Sequence, residues 1–232
     1  MDILFNADDF GLSKGVTDGI VEAHLNGVVS STTLMMNTKA TEYAVTLAKQ
    51  TPSLNVGLHL VLTWGKPLRN DLLGLTKSNG DFKYSKFFLQ ESLTDQDAIK
   101  LEWQAQIEAF LQTGLPLHHL DSHHHIHGWE PLQPIILELA QYYQVPVRYV
   151  PSLRATPEIL LTADLYTNFY GEGVSLDIFE KLRQSEASTI EVMTHPGYVD
   201  QDLKDASSYQ YMREKELDTL CQLKCPDWAT II

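Results

Sequence analysis

Apolar and polar positions alternate between two periods along this chain. "DILFNA" (Asp2 to Ala7) is a short apolar run that ends in two acids, Asp8 and Asp9, and predicts a buried strand with the acids at its C-terminal end. Val16, Ile20 and Ala23 fall on one face of a helix, which Asn26 and Gly27 end. "TTLMMN" (Thr32 to Asn37) reads as a second strand, and Ala44, Leu47 and Ala48 as a second helix stopped before Pro52. "LNVGLHLVL" (Leu54 to Leu62) is a third strand carrying His59. Residues from about 66 to 93 are irregular and rich in Gly, Asn and Asp, the pattern of a lid or binding loop. Thr94 with Asp97 resembles a cap for a helix striped by Ile99, Trp103, Ile107 and Phe110.

"LPLHHLDSHHHIH" predicts a fourth strand, followed by a helix on Leu132, Ile136, Leu139 and Tyr143. "VPVRYV" (Val145 to Val150) is a short fifth strand with Arg148, and "DLYTNFYG" a sixth. Phe179 and Leu182 mark a short helix, "STIEVMTHPG" a seventh strand ending at His195, and "WATII" an eighth. Strands that alternate with helices imply right-handed βαβ units and a mainly parallel sheet. Seven or eight such units suit a barrel, with a doubly wound open sheet as the alternative. Chemistry in a parallel barrel sits at the C-terminal strand ends, where Asp8, Asp9, His59, the His123 region and His195 all fall. No linker or repeat divides the chain, so residues 1–232 read as one domain.

The histidine-rich strand sharpens this picture. Side chains on a strand alternate faces, so His119, Asp121, His123, His125 and His127 share one face. Leu120, Ser122, His124 and Ile126 share the other. The apolar pair Leu120 and Ile126 suits packing against helices, which turns the first set inward. His118 and His124 then lie away from the site. Same-face neighbours are about 6.5–7 Å apart, so an ion takes only one or two of these histidines, and the rest orient ligands or touch substrate.

Charge and composition narrow the function. With 30 acidic against 17 basic residues the formal charge is −13, which repels phosphate backbones and argues against nucleic acid as a partner. The N-terminus has no signal-peptide pattern and no apolar run is long enough to cross a bilayer, so a cytoplasmic protein without a membrane partner is expected. Cys221 and Cys225, the only cysteines, read as unpaired thiols in a reducing compartment. A hydrolytic metal centre needs a few protein ligands and an open position. Two histidines and one acid of "NADDFG" supply them and leave the second acid free as a base.

"NADDFGLSKG", "GLHLVLTWGKPL" from Gly57, "HLDSHHHIH" from His119 and "EVMTHPG" from Glu191 resemble, in order and spacing, the YdjC-like carbohydrate deacetylases, which include the bacterial chitooligosaccharide deacetylases. "HLNGVVSSTT" and "FYGE" (Phe169 to Glu172) are similar as well, so the likeness covers nearly the whole chain. The resemblance implies a distorted (β/α) barrel and metal-dependent removal of an N-acetyl group from a sugar such as N,N'-diacetylchitobiose or its phosphate. It implies Asp9, His59 and His123 as ligands of one divalent ion, Mg2+ favoured and Zn2+ the alternative. It implies Asp8 as general base and His195 as general acid. Asp121 is expected to hold His123 or His195, and His125 and His127 to shape the pocket. Arg148 is expected to orient Asp8 or Asp121, to stabilise charge, or to form a structural salt bridge. Trp64 and Trp129 are candidates for sugar stacking or for the core. A two-fold dimer is the expected assembly. The competing functions are a phosphoesterase on a similar barrel and a non-enzymatic metal or sugar binder.

Overall fold

β1 (Asp2–Phe10) is buried from Ile3 onward, which marks it as a central strand covered on both faces. The structure, a computed structural model, describes the backbone of residues 1–232 and every side chain but that of Leu73. β1 is followed by α1 (Lys14–Asn26), β2 (Ser31–Leu34), α2 (Thr41–Gln50), β3 (Asn55–Leu60), α3 (Gln96–Gln112), β4 (Leu120–Ser122) and α4 (Gln133–Tyr143). Then come β5 (Asp164–Tyr166), α5 (Ile178–Leu182), β6 (Thr189–Thr194), α6 (Gln201–Ala206), α7 (Tyr211–Gln222) and β7 (Thr230–Ile231). All strand pairs are parallel, in the order β4-β3-β2-β1-β6-β5, with β7 beside the first residues of β1.

The sheet is strongly curled. β4 and β6 stand four positions apart in that order, which in a flat sheet is roughly 19 Å at about 4.8 Å per strand. Yet one nitrogen of Arg148 lies 3.0 Å from Asp121 on β4 and 2.6 Å from Glu191 on β6. Beyond β4 the sheet continues only as single parallel bridges, Leu120 to Val147 and Val147 to Leu160. Among the described residues no pairing joins Leu160 to β5, so the fold is a parallel half-barrel with helices outside.

Three expectations are corrected. The fifth strand expected at Val145 to Val150 is reduced to a bridge at Val147, because Pro146 has no N–H to donate and Pro151 begins a 3-10 turn. The expected sixth strand spans only Asp164–Tyr166. α3 is capped by Asp95, whose carboxylate accepts the Ala98 N–H at 3.1 Å, rather than by Thr94.

Glycines set two close contacts behind the site. A Cβ on Gly19 of α1 would come within 2.5 Å of the Gly197 Cα, so α1 packs directly on the turn after β6. A Cβ on Gly27 would meet the Leu220 carbonyl oxygen at 2.6 Å, which brings α7 against the end of α1.

Candidate active site

The C-terminal end of β1 breaks its own alternation. Asp8 and Asp9 would point to opposite faces of a regular strand. The pairing with β2 slips between Ala7 and Phe10, and Asp9 takes a left-handed φ of 70°. This bulge turns both carboxylates into one cleft. The cleft, about 290 Å³, is also lined by His59, His123, His125, His195, Tyr170, Tyr209 and Arg213.

Asp9, His59 and His123 each offer a ligand atom within 4.8 Å of the others. Asp9 Oδ1 is 3.0 Å from His123 Nδ1 and 3.5 Å from His59 Nε2. The other ring nitrogen of His59 bonds Asp121 at 2.7 Å, and Thr33 Oγ1 donates to Asp121 at 3.0 Å. Asp121 thus orients His59, not His123 or His195, because β3 and β4 are paired with His59 opposite Asp121. A carboxylate on the far nitrogen of an imidazole fixes the tautomer that presents Nε2 to an ion.

Asp8 lies beside this cluster, clamped by Arg148. Nη1 donates to Asp8 Oδ2 at 2.7 Å, Nη2 to Oδ1 at 2.5 Å, and Asn6 also donates to Oδ1 at 2.9 Å. Burial alone would raise the Asp8 pKa, but the Arg148 guanidinium outweighs it and holds the carboxyl well below the usual range. Arg148 also donates to Glu191 Oε1 through Nε and Nη2, at 2.8 and 2.6 Å. Burial pushes Glu191 up to about 7 against that pull. A second acid group, Asp8, His59 and Asp121, shares the geometry of a metal site, but the Arg148 guanidinium fills the space between its two carboxylates.

The donor set fits one divalent cation. Four buried carboxylates, Asp8, Asp9, Asp121 and Glu191, surround the cluster against two buried guanidiniums, Arg148 and Arg213. Burial lowers the His59 pKa, but Asp121, Asp9 and Asp8 overcome it and lift the imidazole to about 10. The pocket therefore draws a positive charge to the point where the three ligand atoms converge.

His195 follows the end of β6 and places Nε2 4.0 Å from Asp8 Oδ2. Its backbone N–H donates to Glu216 of α7, which also accepts from the Tyr209 hydroxyl. The rings of Tyr170 and Tyr209 stack at 4.0 Å and flank the imidazole at 5.5 and 5.8 Å. Burial pulls His195 down to about 4, Asp8 and Asp9 opposing, and pushes Glu216 up to about 8.

The remaining histidines depart from strand alternation, because β4 ends at Ser122 and His124 and His125 are both left-handed, at φ 56° and 55°. His124, expected away from the site, lines the cleft with its ring 4.0 Å from that of His123. His125 lines it too, with Nε2 3.1 Å from Met193 Sδ. His127, expected to shape the pocket, lies fully buried beneath it, bonded to Ser122 Oγ and facing the Arg148 carbonyl oxygen. Trp129 is a core residue, packed on Tyr84 and Phe88 of the 66–93 segment. Trp64 sits edge-on to His123 at 6.5 Å and bonds the Ala206 carbonyl.

Sequence reasoning missed Arg213, Tyr209 and Glu216. All three come from α7 or the turn before it, and the buried face of that helix carries Arg213, Glu216 and Thr219 beside Leu217 and Leu220. A buried face so mixed leaves little apolar periodicity to read.

A parallel half-barrel that gathers two histidines and an aspartate at its strand ends has the layout in which a hydrolase can hold a metal ion. The profile of the family described as "YdjC-like protein" matches residues 2–230. A carbohydrate deacetylase of Oceanobacillus iheyensis is 51% identical over 229 residues, covering 99% of this chain and 100% of that protein. One of Vibrio cholerae is 45% identical over 224 residues, covering 95% and 88%. A solved Enterococcus faecalis structure, named for cellobiose-phosphate cleavage, superposes with a TM-score of 0.87 at 30% identity, covering 95% and 90%. The chain belongs to the YdjC-like family, a family of enzymes whose curated relatives here are carbohydrate deacetylases.

Proposed function

We propose that this protein hydrolyses the N-acetyl group of an acetylated carbohydrate, a chitooligosaccharide such as N,N'-diacetylchitobiose or its phosphate. One divalent ion, Mg2+ by family resemblance or Zn2+ by donor chemistry, is held by Asp9, His59 and His123. The observation that carries this reading is the convergence of those three ligand atoms beside a facing Asp8–His195 pair. A bound ion would polarise the acetyl carbonyl and acidify water.

The chain's own groups handle the protons. Asp8 Oδ1 is filled by Arg148 and Asn6, so the open lone pair of the carboxylate is on Oδ2, toward His195. Asp8 takes a proton from the attacking water as its oxygen bonds the acetyl carbon. The C–N bond then breaks, and the nitrogen needs a proton to leave as an amine. His195, neutral at rest through burial, passes on the proton that Asp8 received and restores both groups. Acetate and the free amino sugar are the products. Arg148 keeps Asp8 ionised and aimed, and it occupies the one other ligand cluster among the described residues, which favours one ion over the several of a phosphoesterase.

Asp8→Asn tests the assignment. The variant is expected to bind the ion as the wild type does, measured by elemental analysis after dialysis. It is expected to release no acetate or amine from N,N'-diacetylchitobiose. Full activity in Asp8→Asn removes Asp8 as the base. Wild-type release of phosphate from phosphoesters, with none of amine from acetylated sugars, would overturn the function.

A further inference from the structure

Arg213 on α7 has no task in the scheme above, and it is 2% exposed. Its Nη2 donates to Asp9 Oδ2 at 2.6 Å and its Nε to the Tyr209 carbonyl at 2.9 Å. Its Nη1 has no hydrogen-bond partner among the described residues. Asp9 is therefore divided between two neighbours. Oδ1 faces the imidazoles of His123 and His59, and Oδ2 is held by a guanidinium. A guanidinium stays charged at any working pH. A fixed cation behind the one carboxylate ligand of an ion opposes that ion, and a site built for tight capture alone would leave Oδ2 free or give it a neutral donor.

The same helix also governs the opposite wall of the cleft. Gly197 N–H donates to the Arg213 carbonyl at 3.3 Å, and Glu216, three residues on, accepts the His195 N–H. One face of α7 thus sets both Asp9 and the strand end that carries His195.

Resting on the reading that Asp9, His59 and His123 hold a divalent ion, we propose that Arg213 is a positioning residue. It confines Asp9 to one oxygen toward the ion and weakens the ion's hold, which keeps coordination room and charge for the substrate's acetyl oxygen.

The test compares wild type, Arg213→Met and Arg213→Lys. Zn2+ affinity is read by chelator competition, coordination by the visible spectrum of the Co2+ protein, folding by circular dichroism, and turnover on N,N'-diacetylchitobiose. Arg213→Met is expected to bind Zn2+ at least about tenfold tighter, since a like charge is removed. Its Co2+ absorption should weaken as Asp9 gives both oxygens, and kcat should fall by about tenfold or more. Arg213→Lys keeps the charge and should stay near wild type in Zn2+ affinity. Tighter ion binding with slower turnover is a pair of changes that lost packing does not produce. Unchanged or weaker Zn2+ binding in folded Arg213→Met overturns the proposal. If that variant does not fold, Arg213→Gln, a neutral donor of similar reach, is expected to show the same tightening, and its absence there is equally decisive. A wild-type protein that binds neither Zn2+ nor Co2+ would overturn the ion site itself, an outcome distinct from any change at Arg213.

Discussion

Replacing Arg148 by Met should damage the fold as much as the chemistry. The guanidinium is fully buried and donates to Asp8 at 2.7 and 2.5 Å and to Glu191 at 2.8 and 2.6 Å, with Asp121 at 3.0 Å. Methionine fills similar space but strands three buried carboxylates without their cation. Removing one partner of a buried ion pair costs about 3–5 kcal/mol, a large share of a stability of about 5–15 kcal/mol. For a chain of this size each kcal/mol moves Tm by about 2–4 °C, so Tm should fall by roughly 6–20 °C. The loss should also depend on pH in a set direction. In the wild type Asp8 is held low by Arg148, so its contribution is present above the unfolded carboxylate pKa and is lost progressively as pH falls from there toward the folded value. In the variant the pull of Arg148 is gone, and burial, the largest cause, raises Asp8 against His59 and His195 and raises Glu191 together with the neighbouring Asp121 and Asp8. Their penalty is then full at pH 8 and fades as they take up protons on the way to pH 5. Urea unfolding followed by circular dichroism at pH 5, 6, 7 and 8, with chelator present, measures the difference between the two proteins. A gap below about 1 kcal/mol at pH 7, or one constant from pH 5 to 8, would refute the reasoning.

Two further outcomes follow from the same physics. Burial lowers His125 to about 3, so the folded protein keeps it neutral while the unfolded chain protonates it below about pH 6.5, and stability falls as pH drops through that window. His125→Gln should reduce the acid-side slope of stability against pH by about 1.4 kcal/mol per pH unit between pH 6 and 4.5, and an unchanged slope would count against a neutral buried imidazole. Trp129→Ala removes the ring on which Tyr84 and Phe88 rest, at 5.8 and 5.7 Å. It should cost about 3–5 kcal/mol and open the 66–93 segment to limited proteolysis before the rest of the chain, with Zn2+ affinity near wild type.

Much of the fold was legible because the early strands and helices bury apolar residues at a readable spacing, even with polar ones such as Asn6, Thr17 and Gln106 among them. Ile3 to Phe10, the α1 face of Val16, Ile20 and Ala23, and the α3 stripe with Trp103 all behave as their periodicity says. Strand alternation failed where the backbone turns left-handed. Asp9 brings its carboxylate to the side of Asp8, and His124 and His125 end the regular order of the histidine run. Such conformations are rare in non-glycine residues, and propensity offers no warning of them. The apolar pattern puts Asp9 and His59 at strand ends and only the family resemblance names them as ligands, whereas Arg213 and Glu216 sit on a helix whose charged positions face inward. Nothing in local sequence distinguishes them from solvated charges.

The single guanidinium that fastens β4 to β6 across the curl also grips Asp8. Structural support and the proposed proton chemistry therefore meet in one guanidinium at the floor of the cleft. Freedom to accept a different sugar is left to the outer wall, where Lys86, Tyr170, Ser207 and Ser208 line the cleft without entering the charged lattice. The enzyme is divided into a floor that cannot drift and a rim that can, and adaptation to new substrates has only the rim to work with.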